Sequence, residues 1–134
     1  MAKTSAELAF ERHVAAVHSG DREAFLANFA DNAVVEDPVG PSPLDPSGEG
    51  HRGRSAIAAF WDLIIGPGSV RFEIERAYAC GDEVANVGWI YNTLPDGGGE
   101  IAAEGVFVYR VDAEGKLVSL KAYWDYAKTM AVAS

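Results

Sequence analysis

The sequence contains a single cysteine, Cys80, so no disulfide can form within the chain, and a thiol without a histidine partner is expected to be a small buried hydrophobe. Basic residues are scarce: 11 lysines and arginines stand against 20 acidic residues, a formal charge of −9, and they gather nowhere into a patch. A polyphosphate would be repelled by such a chain, which argues against nucleic acid as a partner. No run approaches the roughly 20 apolar residues that span a bilayer, and residues 1–11 hold no apolar core of signal-peptide length. A cytoplasmic protein without membrane association is expected. Two of the three histidines, His18 and His51, have no ligand-like spacing to each other or to a carboxylate pair, and Cys80 adds nothing resembling a zinc site, so no metal is expected. No glycine-rich phosphate loop follows a strand; Gly97-Gly98-Gly99 lies between strands, where a hairpin needs positive φ, and no cofactor is expected.

What is present is the balance of a packed protein, with 49% hydrophobic and 23% charged residues in 134 positions, the size of one domain spanning 1–134. Thr4 followed by Glu7 reads as a capping box, and Phe10, His13, Val14 and Val17 then recur on one helical face up to Ser19-Gly20. Asp21 caps a shorter helix whose buried side is Phe25, Leu26 and Phe29. Residues 33–37 are rich in β-branched side chains and end before Pro38, which predicts a short strand closing at Asp37. Pro38 to Gly50 reads as a loop. Ser55 then caps a third helix with the stripe Ile57, Phe60, Trp61 and Ile64, stopped by Gly66-Pro67-Gly68.

Beyond that break the period changes to two. Val70, Phe72 and Ile74 alternate with Arg71, Glu73 and Glu75, and three further strands are expected at 84–94, 101–111 and 117–126. Three helices followed by an antiparallel meander define an α+β class, with a curved sheet able to enclose an apolar pocket.

Three segments carry a resemblance: residues 34–40, with Glu36-Asp37-Pro38 at their centre; residues 53–61, Gly-Arg-Ser-Ala-Ile-Ala-Ala-Phe-Trp; and Ala122-Tyr123-Trp124. Together they resemble the delta-5-3-ketosteroid isomerases of the SnoaL-like, nuclear-transport-factor-like superfamily. The resemblance implies a cone-shaped roll of helices on a bent sheet. It implies that Asp37 removes a proton beside a ketone and returns it two carbons away. A carboxylate held before a rigid proline and beside an apolar cavity suits that task, because desolvation raises its basicity; the alternative reading of an Asp-Pro pair is an ordinary turn.

The same resemblance places His13 where the family has a tyrosine donor and Phe107 where it has a protonated aspartic acid, so this chain departs from the family in how a developing enolate would be stabilised. Trp124, Tyr109 and Tyr91 are candidate substitutes. For His13, a core histidine bonded to a neighbour and a pocket donor are both open readings. Glu104 falls on the strand face opposite Phe107 and reads as a surface residue. Phe29, Phe60, Trp61, Phe107, Tyr109, Leu120 and Tyr91 are candidate contacts for an apolar, steroid-like ligand. Three functions follow: a cofactor-independent steroid isomerase, a steroid- or lipid-binding protein of the same fold with little turnover, or another SnoaL-like enzyme such as a polyketide cyclase. An epoxide hydrolase fits less well, for want of an Asp-Arg-Asp arrangement. Apolar residues on both faces of 106–109 make a homodimer through the sheet the expected assembly.

Overall fold

A computed structural model describes residues 2–133, so Met1 and Ser134 of the expected domain lie outside the described residues. The capping box forms as read: the Thr4 side chain accepts from the Glu7 amide, the Glu7 carboxylate accepts from the Thr4 amide, and α1 runs Ser5–Ser19. Gly20, at φ 69°, ends it in the left-handed conformation that glycine adopts without strain. Asp21 caps α2, Arg22–Ala27. Its side chain accepts from the Ala24 amide at 3.0 Å.

Strand β1, Phe29–Glu36, starts four residues earlier than the sequence suggests, so Phe29 opens a strand instead of closing a helix face. Asn28 explains the early switch: its side-chain amide donates to the Ala9 carbonyl of α1 at 2.9 Å, and its carbonyl accepts from Leu117 of the last strand, which pins the chain between helix and sheet. After the 38–50 loop come a two-residue strand β2, His51–Arg52, and α3, Gly53–Phe60. The cap at α3 is Arg52 without a side-chain hydrogen bond, not Ser55.

The helix does not stop at Phe60 but widens into a π-helical turn, Trp61–Ile65, closed by the Gly66 amide donating to the Trp61 carbonyl at 2.8 Å. The extra residue per turn brings Leu63, Ile64 and Ile65 together onto the pocket side. Trp61 instead packs on Phe25, ring centroids 4.7 Å apart.

The meander is β3 Ser69–Cys80, β4 Glu83–Thr93, β5 Glu100–Val111 and β6 Leu117–Tyr123. Six strands lie in the order β2-β1-β6-β5-β4-β3, with β1 parallel to β6. Irregular register at Ile74/Arg76 and at Arg110/Val111 bends the sheet. Val70, Phe72 and Ile74 take its concave side, as the alternation requires, and pack against the core. The last strand ends at Tyr123 instead of 126, and Asp125 caps a short helix α4, Tyr126–Ala131, that the sequence reading did not anticipate.

Among the described residues the architecture is therefore four α-helices on a six-stranded curved open sheet. Cys80 is exposed, contrary to expectation, because the β3–β4 hairpin runs out beyond the helices and Cys80 sits at its tip beside Gly81. Among the described residues no helix is long and apolar enough to cross a membrane.

Candidate active site

Between the concave sheet face and the helices lies a cavity of about 260 Å³. Its walls are almost wholly apolar, with Phe60, Phe72, Ile90, Leu120 and Trp124 prominent; α4 contributes Tyr126 and Met130. The polar side chains that reach it are Asp37, His13, Tyr109, Asn92 and the polar ends of Trp124 and Tyr126.

Asp37 follows β1, in a segment fixed to the sheet by the Val39 amide donating to the Ala122 carbonyl at 2.9 Å. The Asp37–Pro38 peptide is cis. The Asp37 residue is half-buried and borders the cavity. The Trp124 indole donates Nε1–H to Oδ1 at 2.6 Å. Burial among apolar walls pushes the carboxyl above the usual carboxylate range, while the Trp124 hydrogen bond and the nearby His51 oppose that rise. A Trp124→Phe variant is therefore expected to move the Asp37 titration upward by about one to two pH units, since a hydrogen bond to a charged group contributes roughly 1.5–3 kcal/mol. Carbon-detected NMR of the carboxyl checks this. Because the one indole N–H is already engaged, Trp124 holds the carboxylate and does not face a ligand carbonyl, a correction to its expected place among the donors.

His13, on α1, is 3% exposed and surrounded by rings: Tyr109 at 5.1 Å, Phe25 at 5.3 Å, Phe72 at 5.9 Å and Phe29 at 6.1 Å. Its Nδ1 is buried without a hydrogen-bond partner, so it is not the neighbour-bonded core histidine of the simpler reading. Desolvation lowers its pKa from 6.5 to about 3, which leaves a neutral imidazole at physiological pH. Tyr109 is 1% exposed, stacked edge-on against Phe10 at 4.8 Å and bordering the cavity. Burial and the Asp37 charge push its hydroxyl well above its ordinary value, so it stays protonated. Both are neutral donors on the cavity wall.

Of the other expected contacts, Phe60, Leu120 and Tyr109 line the cavity, whereas Phe29, Trp61, Phe107 and Tyr91 do not. Phe29 and Trp61 both pack on Phe25, at 5.1 and 4.7 Å between ring centroids. Phe107 is on the inward sheet face but wholly buried, its carbonyl accepting from Asn86 at 3.1 Å. Tyr91 takes the outer face because Ile90 and Asn92 occupy the inward positions of β4; it stacks on Trp89, rings 5.9 Å apart, under the Arg71 guanidinium. Glu104 is exposed on that outer face, as the alternation predicts. The strand alternation that placed Phe72 inward also marks Ile90 and Ile101 as lining residues, which the reading did not single out.

A helix-covered cone with a carboxylate set on the wall of an apolar cavity defines the class of a small pocket protein. Residues 10–120 match the SnoaL-like domain family, and the chain belongs to it. It is similar to the steroid Δ-isomerase of Nocardioides simplex, 31% identical over 117 residues that cover 87% of this chain and 86% of that one. Among solved structures, the Δ5-3-ketosteroid isomerase from Mycobacterium sp. superposes with a TM-score of 0.89 at 36% identity, covering 98% of each chain. A Mycobacterium tuberculosis protein solved in complex with estradiol-17β-hemisuccinate gives 0.88 at 32% identity, covering 93% of this chain and 97% of that one.

Proposed function

We propose that the protein is a cofactor-independent steroid Δ-isomerase in which Asp37 is the general base. The observation that carries this reading is the Asp37 carboxyl itself, raised in basicity in an apolar cavity and oriented by the Trp124 N–H. In the proposed reaction Asp37 accepts the proton on the carbon between the ketone and the double bond, and the electron pair of that C–H bond delocalises into a dienolate. Asp37 then returns the same proton to the carbon two positions further on, and the double bond comes into conjugation with the ketone. No oxidant, metal or second substrate enters the balance.

The dienolate oxygen needs donors that are neutral and dry, and Tyr109 and His13 supply them. Tyr109→Phe is expected to lower kcat roughly 10²-fold, the cost typical of one such donor. The hydroxyl makes no hydrogen bond to the described residues, so the melting temperature should change little. A kinetic assay paired with thermal unfolding reads both. The test of the reading as a whole is turnover of a Δ5-3-ketosteroid to the conjugated enone.

Phe107 favours a second reading, that the chain binds a steroid or similar lipid with little turnover, since this side chain can donate nothing where the isomerases have an acid. Steroid binding without enone formation would select it. A polyketide cyclase of the same family would instead turn over a polyketide and leave the ketosteroid unchanged. We also propose that two copies pair through the outer sheet face, where Tyr78, Val106 and Tyr123 are exposed; sedimentation equilibrium gives the mass.

A further inference from the structure

One titratable side chain beside the cavity has no place in the mechanism above. His51 sits on β2 in register with Val35 of β1, and residues directly opposite one another in an antiparallel pair share a face. Val35 is wholly buried, so His51 and Asp37, two positions beyond Val35, both belong to the inward side of the two strands. That makes them diagonal cross-strand neighbours, with Cβ atoms roughly 7–8 Å apart in such pairs and well within reach of an imidazole. The His51 ring lies on Phe60, a cavity residue, with centroids 4.9 Å apart. Its Nε2 is buried and has no hydrogen-bond partner.

The other charges nearby point elsewhere: the buried Asp45 carboxylate accepts from the Gly50 amide at 2.8 Å. Arg52 pairs with Val34 on the outer face and donates to the Glu49 carbonyl; Glu36 shares that outer face. Arg54, on α3, is held by the Phe29 carbonyl and by Asp31. Around the Asp37 carboxylate the remaining facing groups are Trp124 from beyond β6 and Tyr109 from β5, with His13 of α1 and Tyr126 of α4 on the same cavity wall. Trp124 occupies Oδ1, and among these groups only His51 and His13 can gain positive charge. His13 resists doing so until about pH 3.

We propose that His51 is a positioning residue for Asp37, a cross-strand imidazole that draws the carboxylate toward the β2 side when charged and so sets how strongly Asp37 takes a proton. This rests on the reading of Asp37 as the base, and it places His51 among the groups that set the acid limb of the pH–rate profile. An imidazolium beside it favours the ionised carboxylate, so the sign is fixed: removing His51 makes Asp37 easier to protonate.

The experiment follows the Asp37 carboxyl carbon by NMR across a pH titration in the wild-type chain and in two variants, His51→Phe, which keeps the ring contact with Phe60, and His51→Gln, which keeps a polar group. The titration midpoint is expected to rise in both variants by about half a unit to one unit, less than the 1–3 units of an opposite charge in direct contact. The acid limb of kcat on a Δ5-3-ketosteroid should rise by the same amount. An unchanged midpoint in both variants, with turnover intact, would overturn the pairing and leave the isomerase reading standing. A raised midpoint in a chain that turns over no ketosteroid would keep the pairing and overturn the isomerase reading.

Discussion

Replacing Asp37 by asparagine should reduce isomerisation by on the order of 10³-fold while leaving a steroid bound about as tightly as before, since positioned acid–base groups contribute typically 10²–10⁴-fold. Asparagine has nearly the same shape and can still accept the Trp124 N–H, so the cavity and its aromatic walls are retained. What it lacks is a basic oxygen to carry the proton between the two carbons. The stability change has a defined sign as well. Burial raises the Asp37 pKa in the folded state, so the ionised group opposes folding once the pH passes that raised value, and stability is fully present only below the unfolded carboxyl pKa of 3.8. At neutral pH the Asp37→Asn chain should therefore unfold at a temperature no lower than the parent. Kinetics, steroid-quenched tryptophan fluorescence and calorimetry read the three parts separately.

The second large effect is an acid lability centred on His13. Its pKa is 6.5 as a free side chain and about 3 in the folded protein, so the folded state excludes a proton that the unfolded state binds. Stability from this group is fully present above pH 6.5 and is lost progressively as the pH falls toward 3. The whole shift corresponds to on the order of 4–5 kcal/mol, a large part of the 5–15 kcal/mol of a typical domain. Urea unfolding at a series of pH values should show that slope, and His13→Phe, which suits the ring cluster of Phe25, Phe29, Phe72 and Tyr109, should flatten it. Equal slopes in the two chains would mean that His13 is protonated in the fold. That result would also remove it from the neutral donors.

These two predictions concern residues the sequence singled out, and the reason is local. The Thr4–Glu7 box, the Gly20 stop and the period-two run from Val70 are decided by neighbours along the chain, so composition and spacing reveal them. Asp37 was legible through Pro38 and the segments around it. The remainder depends on contacts distant in sequence. Phe29 reads as a helix face, yet the carbonyl of Asn28 before it accepts from the Leu117 amide and turns the chain into a strand. Trp124 reads as a donor for a ligand until the fold brings Asp37 within 2.6 Å of its indole. The π turn that inserts Leu63, Ile64 and Ile65 has no distinct residue pattern, and α4 is too short for periodicity to show. His51 carries no signal at all along the chain. Only the β1–β2 register sets it on the same side as Asp37.

The central claim is proton transfer on a ketosteroid by a carboxylate in a dry cavity, and the most direct measurement is the ultraviolet absorbance of the conjugated enone after mixing the purified chain with a Δ5-3-ketosteroid. Absorbance that grows far faster than in buffer, and that the Asp37→Asn chain fails to produce, is the predicted result. A steroid that quenches tryptophan fluorescence on binding but shows no gain in enone absorbance would contradict the claim and leave a binding protein in its place.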